Sequence, residues 1–158
     1  MPNWCEGTMK VRGTKDNLVK FLKNGFAPVS WLGSEKEMQV SEDDYSVSIK
    51  CDDKLHGFHV RGTHRNFVET NCIEFEFWDE DKETHVMLLE NYKAAWGIEA
   101  ESLSNLSKEY DLDFKIYAFE RGMEFNQDIE IVKGEIVKDD EIQFDDYEWE
   151  CISPGVGG

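Results

Sequence analysis

The chain has 158 residues and carries 34 Asp and Glu against 17 Lys and Arg, a formal net charge of −17. That length fits one compact domain over residues 1–158, and a charge of that sign repels phosphate backbones, which argues against direct nucleic-acid binding. Aromatic residues at 13% and apolar residues at 40% are too many for a disordered acidic tail, so the chain has the material to bury a core.

Residues 4–12 read as a strand, with Cys5, Met9 and Val11 on one face and Trp4, Glu6, Thr8 and Lys10 on the other. Gly13 ends it. Thr14 or Asp16 then caps a helix over residues 14–24 whose Leu18, Phe21 and Leu22 share a stripe, and Asn24-Gly25 supplies a C-terminal stop. Tyr45, Val47, Ile49 and Cys51 alternate with polar residues, and the pattern resumes at His56, Phe58 and Val60, which predicts a hairpin turning at residues 52–55. A further strand is expected over residues 73–78. The stretch 85–98 fits a strand better than a helix, although Tyr92-Lys93-Ala94-Ala95 suits either. Leu103, Leu106 and Tyr110 recur at helical spacing and predict a second helix over residues 100–110. Phe114, Ile116 and Ala118 alternate as a strand. Short apolar runs at Ile129, Ile131, Ile136, Ile142 and Phe144, separated by Gly134 and Asp139-Asp140, predict further antiparallel strands, and Tyr147, Trp149 and Cys151 continue that alternation.

No apolar run approaches the length needed to span a bilayer, and the opening residues contain neither a basic region nor a signal-peptide core. A cytoplasmic protein with no membrane partner is therefore expected. The four cysteines, Cys5, Cys51, Cys72 and Cys151, include no Cys-x-x-Cys pair, which in a reducing compartment reads as core thiols or occasional metal ligands rather than disulfides.

The opening Met1-Pro2-Asn3-Trp4-Cys5-Glu6-Gly7, followed by Val11-Arg12-Gly13-Thr14 and a short helix, resembles that of a ferredoxin-like domain family of phage and plasmid proteins. Further similarities to its Gram-positive members are Gly62-Thr63-His64-Arg65-Asn66-Phe67-Val68, Ala95-Trp96-Gly97-Ile98, Asp113-Phe114-Lys115-Ile116-Tyr117 and Phe119-Glu120-Arg121-Gly122-Met123-Glu124-Phe125, with His64 standing where many relatives carry Arg. The resemblance implies an α+β fold: a ferredoxin-like β-α-β-β-α-β core, its antiparallel sheet carrying two helices on one face. It also implies an insertion around residues 26–80 that includes a hairpin, a β extension over residues 123–152 and a mobile-element origin. It brings no catalytic residues with it.

The chain contains no Gly-x-Gly-x-x-Gly, phosphate-binding loop, Gly-x-Ser-x-Gly elbow or His-Glu-x-x-His, so the enzyme classes most readable from sequence lack their signatures. The best metal candidate is Cys51 with His56, which a hairpin would place opposite each other. A thiolate and an imidazole suit Zn2+, but two ligands do not make a site. The plain alternative is a buried thiol on the Val47–Ile49 face and a half-exposed histidine.

Between residues 124 and 150, eleven carboxylates face only Lys133 and Lys138, and aromatic residues are interleaved with them. A one-sided field of this kind favours a basic partner and speeds its association. The candidate partner-binding residues are Asp139, Asp140, Asp145, Asp146, Tyr147, Glu148 and Trp149. An ordinary strand pair with a polar outer face accounts for the same periodicity equally well.

Two classes of function follow. One is an inhibitor that binds a host defence protein with a basic surface, such as the RNA-guided nuclease of a type II CRISPR system (an anti-CRISPR) or a restriction enzyme, and blocks nucleic-acid loading. The other is a metal-dependent enzyme acting on nucleic acid or nucleotide, built around Cys51 and His56. A structural or regulatory module of a phage or conjugative element is a third reading.

Overall fold

The structure, a computed structural model, describes residues 1–30, 34–52 and 57–158. Strand β1 (Trp4–Gly13) buries Cys5, Met9 and Val11 and exposes Thr8, Lys10 and Arg12, as a period of two requires. The Thr14 side chain accepts from the Asn17 N–H at 3.3 Å and starts α1 (Lys15–Asn24), which buries Leu18, Val19, Phe21 and Leu22. Gly25 closes the helix by donating its N–H to the Phe21 carbonyl at 2.7 Å. A side chain at residue 25 would strike the Phe21 ring.

Seven strands follow: β2 (Phe26–Pro28), β3 (Gln39–Glu42), β4 (Ser46–Lys50), β5 (Phe58–Val60), β6 (Asn66–Val68), β7 (Cys72–Glu76) and β8 (His85–Ala95). Helix α2 (Ala100–Tyr110) comes next, then β9 (Asp113–Glu120), β10 (Phe125–Val132), β11 (Glu135–Gln143) and the short α3 (Tyr147–Glu150). The strands form an eight-stranded sheet in the order β11-β10-β9-β1-β8-β6-β5-β2 and a three-stranded sheet in the order β3-β4-β7, with every ladder antiparallel.

This overturns the expected ferredoxin-like β-α-β-β-α-β fold. The described residues are predominantly antiparallel β, with a large sheet, a second small sheet and three short helices among them. Segment 26–80 is not a hairpin appended to a four-stranded core: it adds β2, β5 and β6 to the large sheet and forms β3, β4 and β7 as a separate one. The expected hairpin between residues 45–51 and 56–60 does not form either, because β4 pairs with β3 and β7 while β5 pairs with β2 and β6. Alternation specifies which face of a strand is buried and leaves its neighbour open. Val47 and Ile49 satisfy their burial opposite Phe75 and Ile73 of β7.

Cross-strand rows build the core face of the large sheet. Met87, Val11, Phe114 and Ile131 lie in register across β8, β1, β9 and β10, and Leu89, Met9, Ile116 and Ile129 form the next row. Helices α1 and α2 contact each other and this sheet. Phe21 sits at their junction, its ring centroid 4.9 Å from Phe26, 5.1 Å from Tyr110 and 5.8 Å from Phe114. Gly7 permits the close approach of β1 to β9, since a Cβ there would lie 2.2 Å from the Tyr117 carbonyl oxygen. Among the described residues, no helix is long and apolar enough to cross a membrane.

Candidate functional site

The acidic segment singled out by sequence is the edge of the large sheet and the turn that follows it. From Glu135 to Glu150 the chain carries eight carboxylates and one lysine. Strand β11 pairs with β10 on one side, and no backbone hydrogen bond among the described residues reaches its other side. Its side chains are exposed or half-exposed throughout, including the apolar Ile136 and Val137. A register shift on β10 between Glu130 and Ile131 leaves Val137 without an opposite partner, a bulge beyond which residues 138–143 pair regularly.

The structure separates residues that adjoin in sequence. Asp139 stands opposite Ile129, on the core side of the sheet where it projects into solvent, whereas Asp140 stands opposite Asp128 on the outer side. The Asp128–Asp140 pair places like charges directly across the ladder, an unfavourable arrangement that Lys138 offsets by donating to Asp128 at 3.1 Å. That hydrogen bond, with the neighbouring negative charge, raises the Lys138 pKa. Lys138 thus serves Asp128 first, and no second lysine lies between Glu135 and Glu150 to offset the other carboxylates.

Beyond β11, the expected strand through Tyr147, Trp149 and Cys151 is instead helix α3. Asp146 caps it by accepting from the Trp149 N–H at 3.2 Å, and the Asp146 N–H donates to Glu150, one residue further on, at 2.7 Å. Of the predicted partner-binding residues, Asp139, Asp140, Asp145, Asp146, Glu148 and Trp149 are exposed, Trp149 to 86%. Tyr147 is buried and does not belong with them. One helical turn points it inward, where its hydroxyl donates to Asn126 Oδ1 at 2.9 Å and its ring meets Phe144 edge-on. Ile152, which sequence reading passed over, stands exposed next to α3.

Tyr147 belongs to a buried polar cluster that fastens α3 to the sheet. The Asn126 amide donates to Tyr117 Oη at 3.2 Å and to Cys151 Sγ at 3.4 Å. Burial, followed by the hydrogen bond with Cys151, raises the Tyr147 pKa. Burial acts to raise the Cys151 thiol as well, but hydrogen bonds from Asn126, Tyr147 and the Ser153 backbone outweigh it and lower its pKa. Nearby, Cys5 donates to Gln127 Oε1 at 3.4 Å. Its thiol is pushed up to about 12, first by burial and then by the charges of Glu120, Glu6 and Glu141.

No family model, curated protein or solved structure matches this chain.

For the zinc reading, His56 lies outside the described residues. Cys51 is half-buried just after β4, with its thiol 3.6 Å from the Asn71 carbonyl. His59, on β5 in the other sheet, engages the Thr63 carbonyl at 3.0 Å. Among the described residues, no group of three or more His, Cys, Asp or Glu is arranged to hold a metal ion.

The outer face of the large sheet carries a feature invisible in the sequence. A concavity of about 700 Å³ lies over β1, β8, β9, β10 and β11, lined by Lys10, Lys115 and Lys138, by Glu6 and Asp128, and by Tyr117 and Phe119. Alternation predicts that Lys10 and Lys115 face outward, but only the register makes them direct cross-strand neighbours. Further along, Trp4 packs edge-on against Phe67 at 5.9 Å, beneath the cations of Lys93 at 4.6 Å and Arg65 at 5.8 Å. Lys93 also pairs with Glu69 and Arg61 with Glu35, so this locally basic stretch is largely spoken for by its own neighbours.

Proposed function

We propose that the protein acts by binding rather than by catalysis, as a mobile-element inhibitor that presents its acidic β11–α3 edge to a basic surface on a host protein. The observation that carries this reading is the concentration of eight carboxylates against one lysine along an exposed sheet edge, next to the solvent-facing Trp149 and Ile152. Charge of that density steers a basic partner into encounter, and a large exposed aromatic beside it supplies the apolar anchor that interfaces favour. A nucleic-acid-binding groove is the kind of surface that complements it, and filling such a groove excludes the nucleic acid by like charge. The RNA-guided nuclease of a type II CRISPR system is the first target to test.

The test is DNA cleavage by the purified nuclease with and without the protein, alongside capture from host lysate on immobilised protein eluted by a salt gradient. Inhibition that is relieved when guide RNA is loaded first, and a partner released as salt rises, are the expected results. If the protein neither inhibits cleavage nor retains any salt-sensitive partner, the reading fails.

A further inference from the structure

An antiparallel sheet ends at a strand whose alternate N–H and C=O groups have no partner, and that edge accepts another strand unless something prevents it. The two ends of the large sheet differ in this respect. At one end β2 is three residues long and buried, and its surroundings are tied down by the Lys36 N–H to the Pro28 carbonyl at 2.9 Å and by a bridge between Val29 and Glu35. At the other, β11 runs for nine residues with its outer backbone groups unclaimed among the described residues. In the small sheet, β3 spans only four residues.

We propose that β11 receives an extended basic segment of the partner as a ninth strand of the sheet, an inference that rests on the binding role above and specifies how the edge is used. The charges select the occupant. Asp139 and Glu141 project from one face of the edge and Asp140 from the other, so a strand added there meets carboxylates on both sides, and alternating Lys or Arg on either face of it is complemented. A second copy of this chain is the wrong occupant, because pairing β11 with itself brings Asp139, Asp140 and Glu141 against their own counterparts. Edge carboxylates and a bulge are also devices that keep an edge unpaired, but here the carboxylates lie within a stretch of six residues that pairs regularly with β10 and is long enough for a further strand, and a basic strand turns their repulsion into attraction. The bulge at Val137 confines regular pairing to residues 138–143, which is also where the three carboxylates Asp139, Asp140 and Glu141 lie.

The probe is a labelled peptide of alternating lysine and valine, about eight residues long to cover that stretch. It is offered with its glutamate–valine counterpart and with two isomers N-methylated either at every lysine or at every valine amide. All three lysine peptides carry the same charge and differ only in which amides can donate. Strand addition requires that the unmethylated peptide bind and the glutamate peptide not, that one methylated isomer bind far more weakly than the other, and that amide exchange slow at alternate residues within 138–143. Equal binding by both methylated isomers shows that side-chain charge alone holds the peptide. That outcome overturns the ninth-strand proposal while leaving the acidic-edge reading standing. Absence of peptide binding, or a dimer in sedimentation at low salt that the peptide does not dissociate, also overturns it. The lysate capture and cleavage assays decide the binding role separately.

Discussion

Replacing Asp139, Asp140 and Asp145 with Asn and Asp146 with Ser removes four of the eight carboxylates between Glu135 and Glu150 and leaves shape almost unchanged. The effect on folding is expected to be small because the losses and gains are local and opposed. Asn at residue 140 relieves the like-charge pair with Asp128, worth a few tenths of a kcal/mol. Ser at residue 146 keeps the oxygen that caps α3, since Ser and Asp cap about equally well. The unfolding free energy from urea titration should therefore stay within about 1 kcal/mol of the parent, and on the stable side if repulsion dominates. The effect on binding should be larger. Contacts between exposed charges contribute about 0.5 kcal/mol each, so losing four costs about 2 kcal/mol, or roughly thirtyfold in Kd at low salt. The logarithmic dependence of affinity on salt should flatten at the same time, because fewer screened charges remain. Titration of the captured partner at two ionic strengths reads both quantities. A quadruple variant that binds as tightly as the parent at low and at physiological salt would refute the argument and reduce the acidic edge to a solvated surface.

Three further outcomes follow from the interior. Phe21→Ala should lower unfolding free energy by about 3–5 kcal/mol in urea, because it empties the fully buried junction among Phe26, Tyr110 and Phe114. Glu120→Gln should cost about 1–3 kcal/mol: buried Glu120 accepts the N–H groups of Gly122 and Met123 through its two oxygens, and an amide retains only one acceptor. Stability should also fall as pH rises from about 9 towards 12. Over that range an unfolded Cys5 loses its proton while the folded thiol, pushed up to about 12, keeps it, so the unfolded state binds fewer protons. Urea titrations across that range on the parent and on Cys5→Ala check this, and the variant should show a shallower decline.

The elements that could be read from sequence are those whose periodicity is long and whose ends are marked. Helix α1 announces itself through Thr14, the Leu18–Phe21–Leu22 stripe and Gly25. Helix α2 does so through Leu103, Leu106 and Tyr110, and β1 and β9 through clean alternation. The acidic, aromatic character of the chain after residue 134 was equally legible, since charge is a property of composition. Neighbours were not. Val47 and Ile49 state that one face of β4 is buried, but β7 became the partner because Phe75 and Ile73 offered that burial in a separate sheet, which is why the hairpin expected between residues 45–51 and 56–60 did not form. At Tyr147 the sequence misled, because residues 147, 149 and 151 alternate while four residues are too few to reveal a helical period. The hydrogen bonds of Asp146 with the Trp149 N–H and of Glu150 with the Asp146 N–H close a helical turn that places Tyr147 in the core and leaves Trp149 in solvent. Adjacent in sequence, Asp139 and Asp140 were parted onto two faces by the pleat, and Lys10 and Lys115, more than a hundred residues apart, were set side by side by register. Local side-chain chemistry fixes what each segment prefers to bury, whereas pairing depends on which complementary surface the folded chain brings alongside, and that is a property of the tertiary structure alone.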